Sequence, residues 1–164
     1  MKTADYEEID AGIRELVAAL NEIPFVSTQA SCEGHLTDRP GYGGICPDKG
    51  HKFMYSGDMI FKVDLKQPDS KNFLSEVKQL ERKYNFVELR QHYCGDETCC
   101  IRGSHVLNLD CCDLTHPRTI KDDDSLEVMI KKRHQVEDSA GLQRMKDFQS
   151  AWKDFLEIAK KYIK

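Results

Sequence analysis

The sequence predicts an α+β domain, a four-stranded sheet with helices packed on it, in the element order α-β-β-α-β-β-α-α. Three observations carry this. Segments with apolar residues at helical spacing alternate with short runs of period two. The 164 residues suffice for one domain and are few for two. The first six elements follow the order of a split β-α-β fold whose first strand has moved to the end. A single domain over 1–164 is expected, with 124–164 as a C-terminal helical layer.

Asp5 and Glu8 form an Asp-x-x-Glu capping box for a first helix, whose apolar face is Ile9, Ile13, Leu16, Val17 and Leu20. Pro24 cannot continue it, and Phe25 to Ser31 reads as a strand. From Cys32 to Lys52 the chain is broken by Gly34, Pro40, Gly41, Gly43, Gly44, Pro47 and Gly50, a loop long enough to suggest function or disorder. Met59, Phe61, Val63 and Leu65 then alternate with Ile60, Lys62 and Asp64 as a second strand. Phe53 to Tyr55 reads as an earlier arm of it, interrupted by Ser56-Gly57-Asp58.

Pro68-Asp69-Ser70 opens a second helix with Phe73, Leu74, Val77, Leu80 and Tyr84 on its buried side. Two strands follow, Phe86 to Tyr93 and Ile101 to Cys111, joined by a turn at Gly95-Asp96. A capping box at Asp124 and Glu127 starts a helix through Leu126, Met129, Ile130 and His134. Gly141 marks a break before a long amphipathic helix carrying Leu142, Met145, Phe148, Trp152, Phe155, Ala159 and Tyr162.

Charge narrows the function classes. With 24 basic and 28 acidic residues the formal net charge is −4, which argues against gripping a nucleic acid duplex with the whole surface but leaves a local basic groove open. Lys131-Lys132-Arg133-His134 reads as cations in the last turn of a helix, favoured by its dipole, in preference to a phosphate contact. No run of about 18 apolar residues is present, so no membrane span is expected. The start Met1-Lys2-Thr3-Ala4-Asp5 lacks a signal-peptide core, so the expected location is cytoplasmic, with reduced thiols. Seven cysteines, an odd number, cannot all pair within one chain.

The chemistry concentrates in Ser31-Cys32-Glu33-Gly34-His35, where the first strand ends. Cys32 is a candidate thiolate nucleophile with His35 as proton donor or acceptor. The competing account is a tight turn with Cys32 buried and His35 solvated. A metal reading extends the loop: Cys32-x2-His35 and Cys46-x4-His51, ten residues apart, offer two ligand pairs for tetrahedral zinc. His92, Cys94, Cys99 and Cys100 at the hairpin suit half a metal site, a cross-strand disulfide or free thiols. His92 falls on a polar face, whereas His105 shares its face with Leu107 and Leu109 as a core histidine.

The stretch Ile9 to His35 resembles the tRNA wyosine methyltransferase family of wybutosine synthesis, through its helix, Ile23-Pro24, Thr28 and the pentapeptide. That family carries Ser-Cys-Ser-Gly-Arg; Ser31, Cys32 and Gly34 match, while Glu33 and His35 depart. The resemblance implies S-adenosylmethionine as cofactor and a guanine-derived base near a tRNA anticodon as substrate. Ser31, Glu33, Gly34 and Tyr42 would then contact the cofactor or nucleoside, with Cys32 and His35 catalytic. A histidine cannot reproduce arginine's fixed fork of donors, so His35 points to a different ligand or a lost activity. The alternative is a small zinc module with a structural or partner-binding role.

Overall fold

The computed structural model describes residues 9–41, 43–92, 104–115 and 119–164. In chain order these form α1 (Arg14–Glu22), β1 (Val26–Cys32), β2 (His35–Thr37), β3 (His51–Tyr55), β4 (Gly57–Val63), α2 (Ser70–Lys78) and α3 (Leu80–Lys83). Then come β5 (Val87–His92), β6 (Ser104–Leu109), α4 (Leu126–His134), β7 (Gln135–Glu137) and α5 (Asp138–Lys160). The class is α+β, as the periodicity predicts. Among the described residues no helix is long and apolar enough to cross a membrane.

The larger sheet has the order β1-β4-β6-β5, every neighbouring pair antiparallel. Because β4 and β5 each run against β6, they are parallel to one another, joined through α2 and α3 with β6 between them: a split β-α-β unit. Its core face is set by the pleat. Met59 and Phe61 of β4 are fully buried and stand opposite Leu107 and His105 of β6, while Asp58, Ile60 and Lys62 turn the other way. Against that face pack Leu16 and Leu20 of α1, Phe73 and Val77 of α2, and Phe148 and Phe155 of α5, each spaced three or four residues apart or at multiples of a turn. Phe61, Phe73 and Phe155 meet with ring centroids 5.8–6.4 Å apart. Each such buried ring contributes roughly 1.5–3 kcal/mol by burial.

A second sheet, β2-β3-β7, is absent from the predicted order. Two of its strands are three residues long, too short to show an alternating pattern. Phe53 to Tyr55 therefore belongs to this sheet and is not an arm of β4; only Ser56 separates the two strands. The two sheets share a corner. The chain passes from one sheet to the other at Glu33-Gly34, between β1 and β2, and again at Ser56, between β3 and β4, with Cys32 opposite Asp58 and His35 opposite Tyr55.

Other elements shift for local reasons. The Asp5–Glu8 box lies outside the described residues, and α1 starts at Arg14, after a turn in which the Ile13 amide donates to the Asp10 carbonyl at 3.1 Å. The long loop is shortened to 38–50 because β2 and β3 claim its ends. Ser125, not Asp124, caps α4, accepting from the Val128 amide at 3.3 Å; Asp124 binds the Lys132 ammonium at 2.7 Å instead. Gly141 does not break α5. It sits inside the helix because Leu36 of β2 presses against it, and a Cβ there would lie 2.5 Å from the Leu36 Cδ1. The turn expected at Gly95-Asp96 and the cysteines Cys94, Cys99 and Cys100 fall outside the described residues.

Candidate functional site at the corner of the two sheets

The corner is held from behind by α5. Trp152 donates its indole N–H to the Glu33 carbonyl at 3.0 Å, and Phe148 packs beneath Gly34. Gly34 has φ +88°, and a Cβ on it would lie 2.7 Å from a Phe148 ring carbon and 3.1 Å from the Tyr55 carbonyl, so both the backbone and the space demand glycine. From the front, Asp10 ties the turn before α1 to the same corner: its Oδ2 accepts the Glu33 amide at 2.9 Å. The same oxygen lies 3.5 Å from Nε2 of His35, the first residue of β2.

Cys32, the last residue of β1, completes the group. One ligand-type atom each from Asp10, Cys32 and His35 lies within 4.8 Å of the others. The pentapeptide thus delivers Cys32 and His35 to one place, and the third member arrives from before α1. Asp10 escapes the sequence reading because an aspartate ahead of a helix passes for a helix-start residue.

Burial pushes the Cys32 thiol above its ordinary value; an N–H from Gly34 offsets part of this, while the charges of Asp10, Asp58 and Glu33 add to it. A free thiol in that setting stays protonated at neutral pH, which works against Cys32 as an unaided nucleophile. Asp58, opposite Cys32 on β4, is half-buried, and burial raises its carboxyl above the usual carboxylate range. The sequence does not single it out, because Ser56-Gly57-Asp58 reads as an interruption, whereas Gly57 and Asp58 are the first two residues of β4.

The remaining candidates disperse. Ser31 is opposite Met59 and so points to the other face of the sheet from Cys32. Glu33 is half-buried over Gly12, where a Cβ would collide with its carboxylate. Tyr42 lies outside the described residues. Cys46 is an exposed free thiol, and His51 turns its Nδ1 to the Lys49 carbonyl at 3.3 Å. His51 also lies four residues along β3 from Tyr55, the partner of His35, a separation of about 13 Å of strand. Among the described residues, the ligand-type group is Asp10, Cys32 and His35, without Cys46 or His51.

Elsewhere, Lys131 pairs with Asp48 and Lys132 with Asp124, both at 2.7 Å, in the last turn of α4, so half of the basic run is neutralised within the fold. His134 stacks on Tyr55 with centroids 4.6 Å apart. Cys111 is buried, with its sulfur 3.3 Å from the Ser56 hydroxyl, whereas Cys112 is exposed and its thiol is pushed up to about 11, chiefly by its hydrogen bond to Asp110. The two adjacent thiols therefore do not form a site together. No family model, curated protein or solved structure matches this chain.

Proposed function

We propose that this protein binds a divalent transition metal of the zinc class at Asp10, Cys32 and His35. The observation that carries the reading is the convergence of a carboxylate, a thiol and an imidazole to within 4.8 Å at the sheet corner. Oxygen, sulfur and nitrogen donors of these types suit zinc, and a bound cation would replace the proton that burial keeps on the Cys32 thiol. Three protein ligands leave the fourth tetrahedral position for water or a substrate atom, the pattern of reactive sites and not of closed structural ones. Half-buried Asp58 then stands beside the site as a further carboxylate.

Metal analysis after equilibration with Zn2+ tests this. One zinc per chain is expected in the unaltered protein, Cys46→Ser and His51→Gln, and none in Asp10→Ala or Cys32→Ser with an unchanged circular dichroism spectrum. No stoichiometric zinc in the unaltered protein would remove the reading.

The resemblance to wyosine methyltransferases supports a second reading at the same pentapeptide: a tRNA-modification role with S-adenosylmethionine or a nucleoside bound there. It rests on Ser31, Cys32 and Gly34, two of which form or border the corner group. Calorimetry with S-adenosylmethionine and with tRNA tests it; heat from neither leaves it without support.

A further inference from the structure

A net charge of −4 still allows a local basic groove, and the fold assembles one away from the basic run at 131–134. We propose that the groove between α2 and the edge strand β5 binds a phosphate dianion, as a monoester or as inorganic phosphate, on Lys71, Lys78 and His105. The groove encloses about 430 Å3, within the range of small-ligand sites. Lys71, Leu74, Ser75 and Lys78 line one wall, recurring three and four residues apart on one stripe of α2. The other wall is β5, where Leu89 and Gln91 share the core side of the sheet with their partners Leu107 and His105. Arg90 starts from the opposite face of this edge strand and brings a third cation to the rim.

Charge in the groove is unbalanced, because no acidic side chain lines it. Unlike Lys131 and Lys132, the exposed Lys71 and Lys78 make no ion pair or hydrogen bond among the described residues, and the Ser75 hydroxyl is equally unengaged. Neighbouring carboxylates are occupied: Glu81 accepts the Leu89 amide at 2.8 Å, Glu76 is held by Lys161 and Tyr162, and Glu88 lies 4.0 Å from Arg90. His105 adds a donor to the same space. Burial lowers its imidazole below the ordinary value, so the ring is neutral at pH 7, and its Nδ1 is buried without a partner. A buried N–H with no acceptor costs more than a buried lone pair, which places the hydrogen on Nε2. Since the Nδ1 edge is sealed, the ring meets the groove through the edge that carries Nε2.

Two ammonium groups, a hydroxyl and an imidazole N–H select a ligand that brings acceptors and negative charge. Lys71 and Lys78 leave the helix about 10 Å apart, and their flexible stems let both close on one group between them. A phosphate monoester carries about 1.5–2 negative charges at pH 7 and three acceptor oxygens, more than a carboxylate of one charge and two oxygens. Leu74 and Leu89 offer apolar surface to the carbon skeleton of an ester. A single-stranded nucleic acid fits less well, since no aromatic side chain lines the groove to stack on a base.

The test is calorimetry on the full chain, without added zinc, with phenyl phosphate, inorganic phosphate, phenylacetate and a short single-stranded RNA. Phenyl phosphate is expected to bind most tightly, inorganic phosphate more weakly, and phenylacetate and the RNA least. Lys71→Gln and Lys78→Gln, both at exposed positions, should each weaken phenyl phosphate about threefold to fivefold. Lys146→Gln removes the same charge from an exposed position of α5 outside the groove and should leave the affinity unchanged. His105→Phe keeps the ring on Phe61 and removes the donor, at a cost of about fivefold. Tighter binding of the ester assigns the groove to a phosphorylated molecule, and equal binding of the two phosphates assigns it to inorganic phosphate. The proposal is overturned if neither phosphate binds at millimolar concentration, if phenylacetate or the RNA binds more tightly than both, or if Lys146→Gln weakens binding as much as the groove variants do.

Discussion

Replacing Gly34 by alanine probes the corner on which the metal reading stands. Two costs add there. The backbone at φ +88° is left-handed, and an L side chain in that region costs about 1–2 kcal/mol, partly offset by about 0.4–1 kcal/mol of lost unfolded-state freedom. The new Cβ would also lie 2.7 and 2.8 Å from two Phe148 ring carbons and 3.1 Å from the Tyr55 carbonyl. Forcing a fully buried ring to move costs about 1–3 kcal/mol. Gly34→Ala should therefore destabilise the fold by roughly 2–4 kcal/mol. Gly50 is the matched control: φ is +80° and nothing lies within 4 Å of its would-be Cβ, so Gly50→Ala should show the backbone cost alone, about 1 kcal/mol or less. Urea unfolding of the two variants measures the difference directly. Equal losses would show that Phe148 does not brace the corner. Retained zinc affinity in Gly34→Ala would show that the placement of His35 does not depend on this turn.

Zinc at about a hundred times its dissociation constant should add about 2.7 kcal/mol of stability and raise the melting temperature by about 5–11 °C. Scanning calorimetry would detect that shift, and Cys32→Ser should lose it. Arg144 is buried and binds the Asp113 carboxylate and the Asp110 carbonyl, so Arg144→Met should cost about 2–3 kcal/mol, reduced from the value for a fully buried pair because Asp113 is half-exposed. A loss below about 0.5 kcal/mol in urea unfolding would place it among ordinary surface pairs. Burial lowers the His105 imidazole below its ordinary value, and its Nδ1 is buried without a partner. Its folded form resists protonation, so the stability associated with it is present above the unfolded value near 6.5 and lost as pH falls below that. His105→Phe keeps the ring stacked on Phe61 and removes the titration, so its advantage over the unaltered protein should grow from pH 7 to pH 5. A constant difference across that range would refute this. Asp154 works in the same direction at lower pH. Burial pushes its carboxyl up, but hydrogen bonds from Lys83 and Tyr84 hold it below the ordinary value, so its contribution fades as acid protonates it; Asp154→Asn should flatten the acid limb of the stability profile.

The larger sheet and its helices were legible because long repeats announce themselves. Leu16 and Leu20, Phe73 and Val77, and Phe148 and Phe155 recur at helical intervals, and Met59 and Phe61 at the interval of a strand. The order of these segments even implies the split β-α-β connection, since α2 must carry the chain between parallel strands. The smaller sheet was not legible. His35–Thr37 and Gln135–Glu137 are each three residues long and become strands only by pairing with His51–Tyr55. His105 illustrates a partial success: it does lie on the core side with Leu107, but one ring nitrogen is left without a partner.

For function, the chain order alone determined that Cys32 and His35 would be close, since only Glu33 and Gly34 lie between them. That proximity is local and follows from chain geometry. The third ligand-type residue was decided by tertiary structure, because Asp10 is 22 residues before Cys32 and reaches it only when α1 folds back on the sheet and its carboxylate takes the Glu33 amide. His51 went the other way: nearer in sequence, at 16 residues from His35, it is carried along β3 to a different cavity. Sequence distance sets how freely two groups can meet; the packing of α1 and the register of β3 set which of them do.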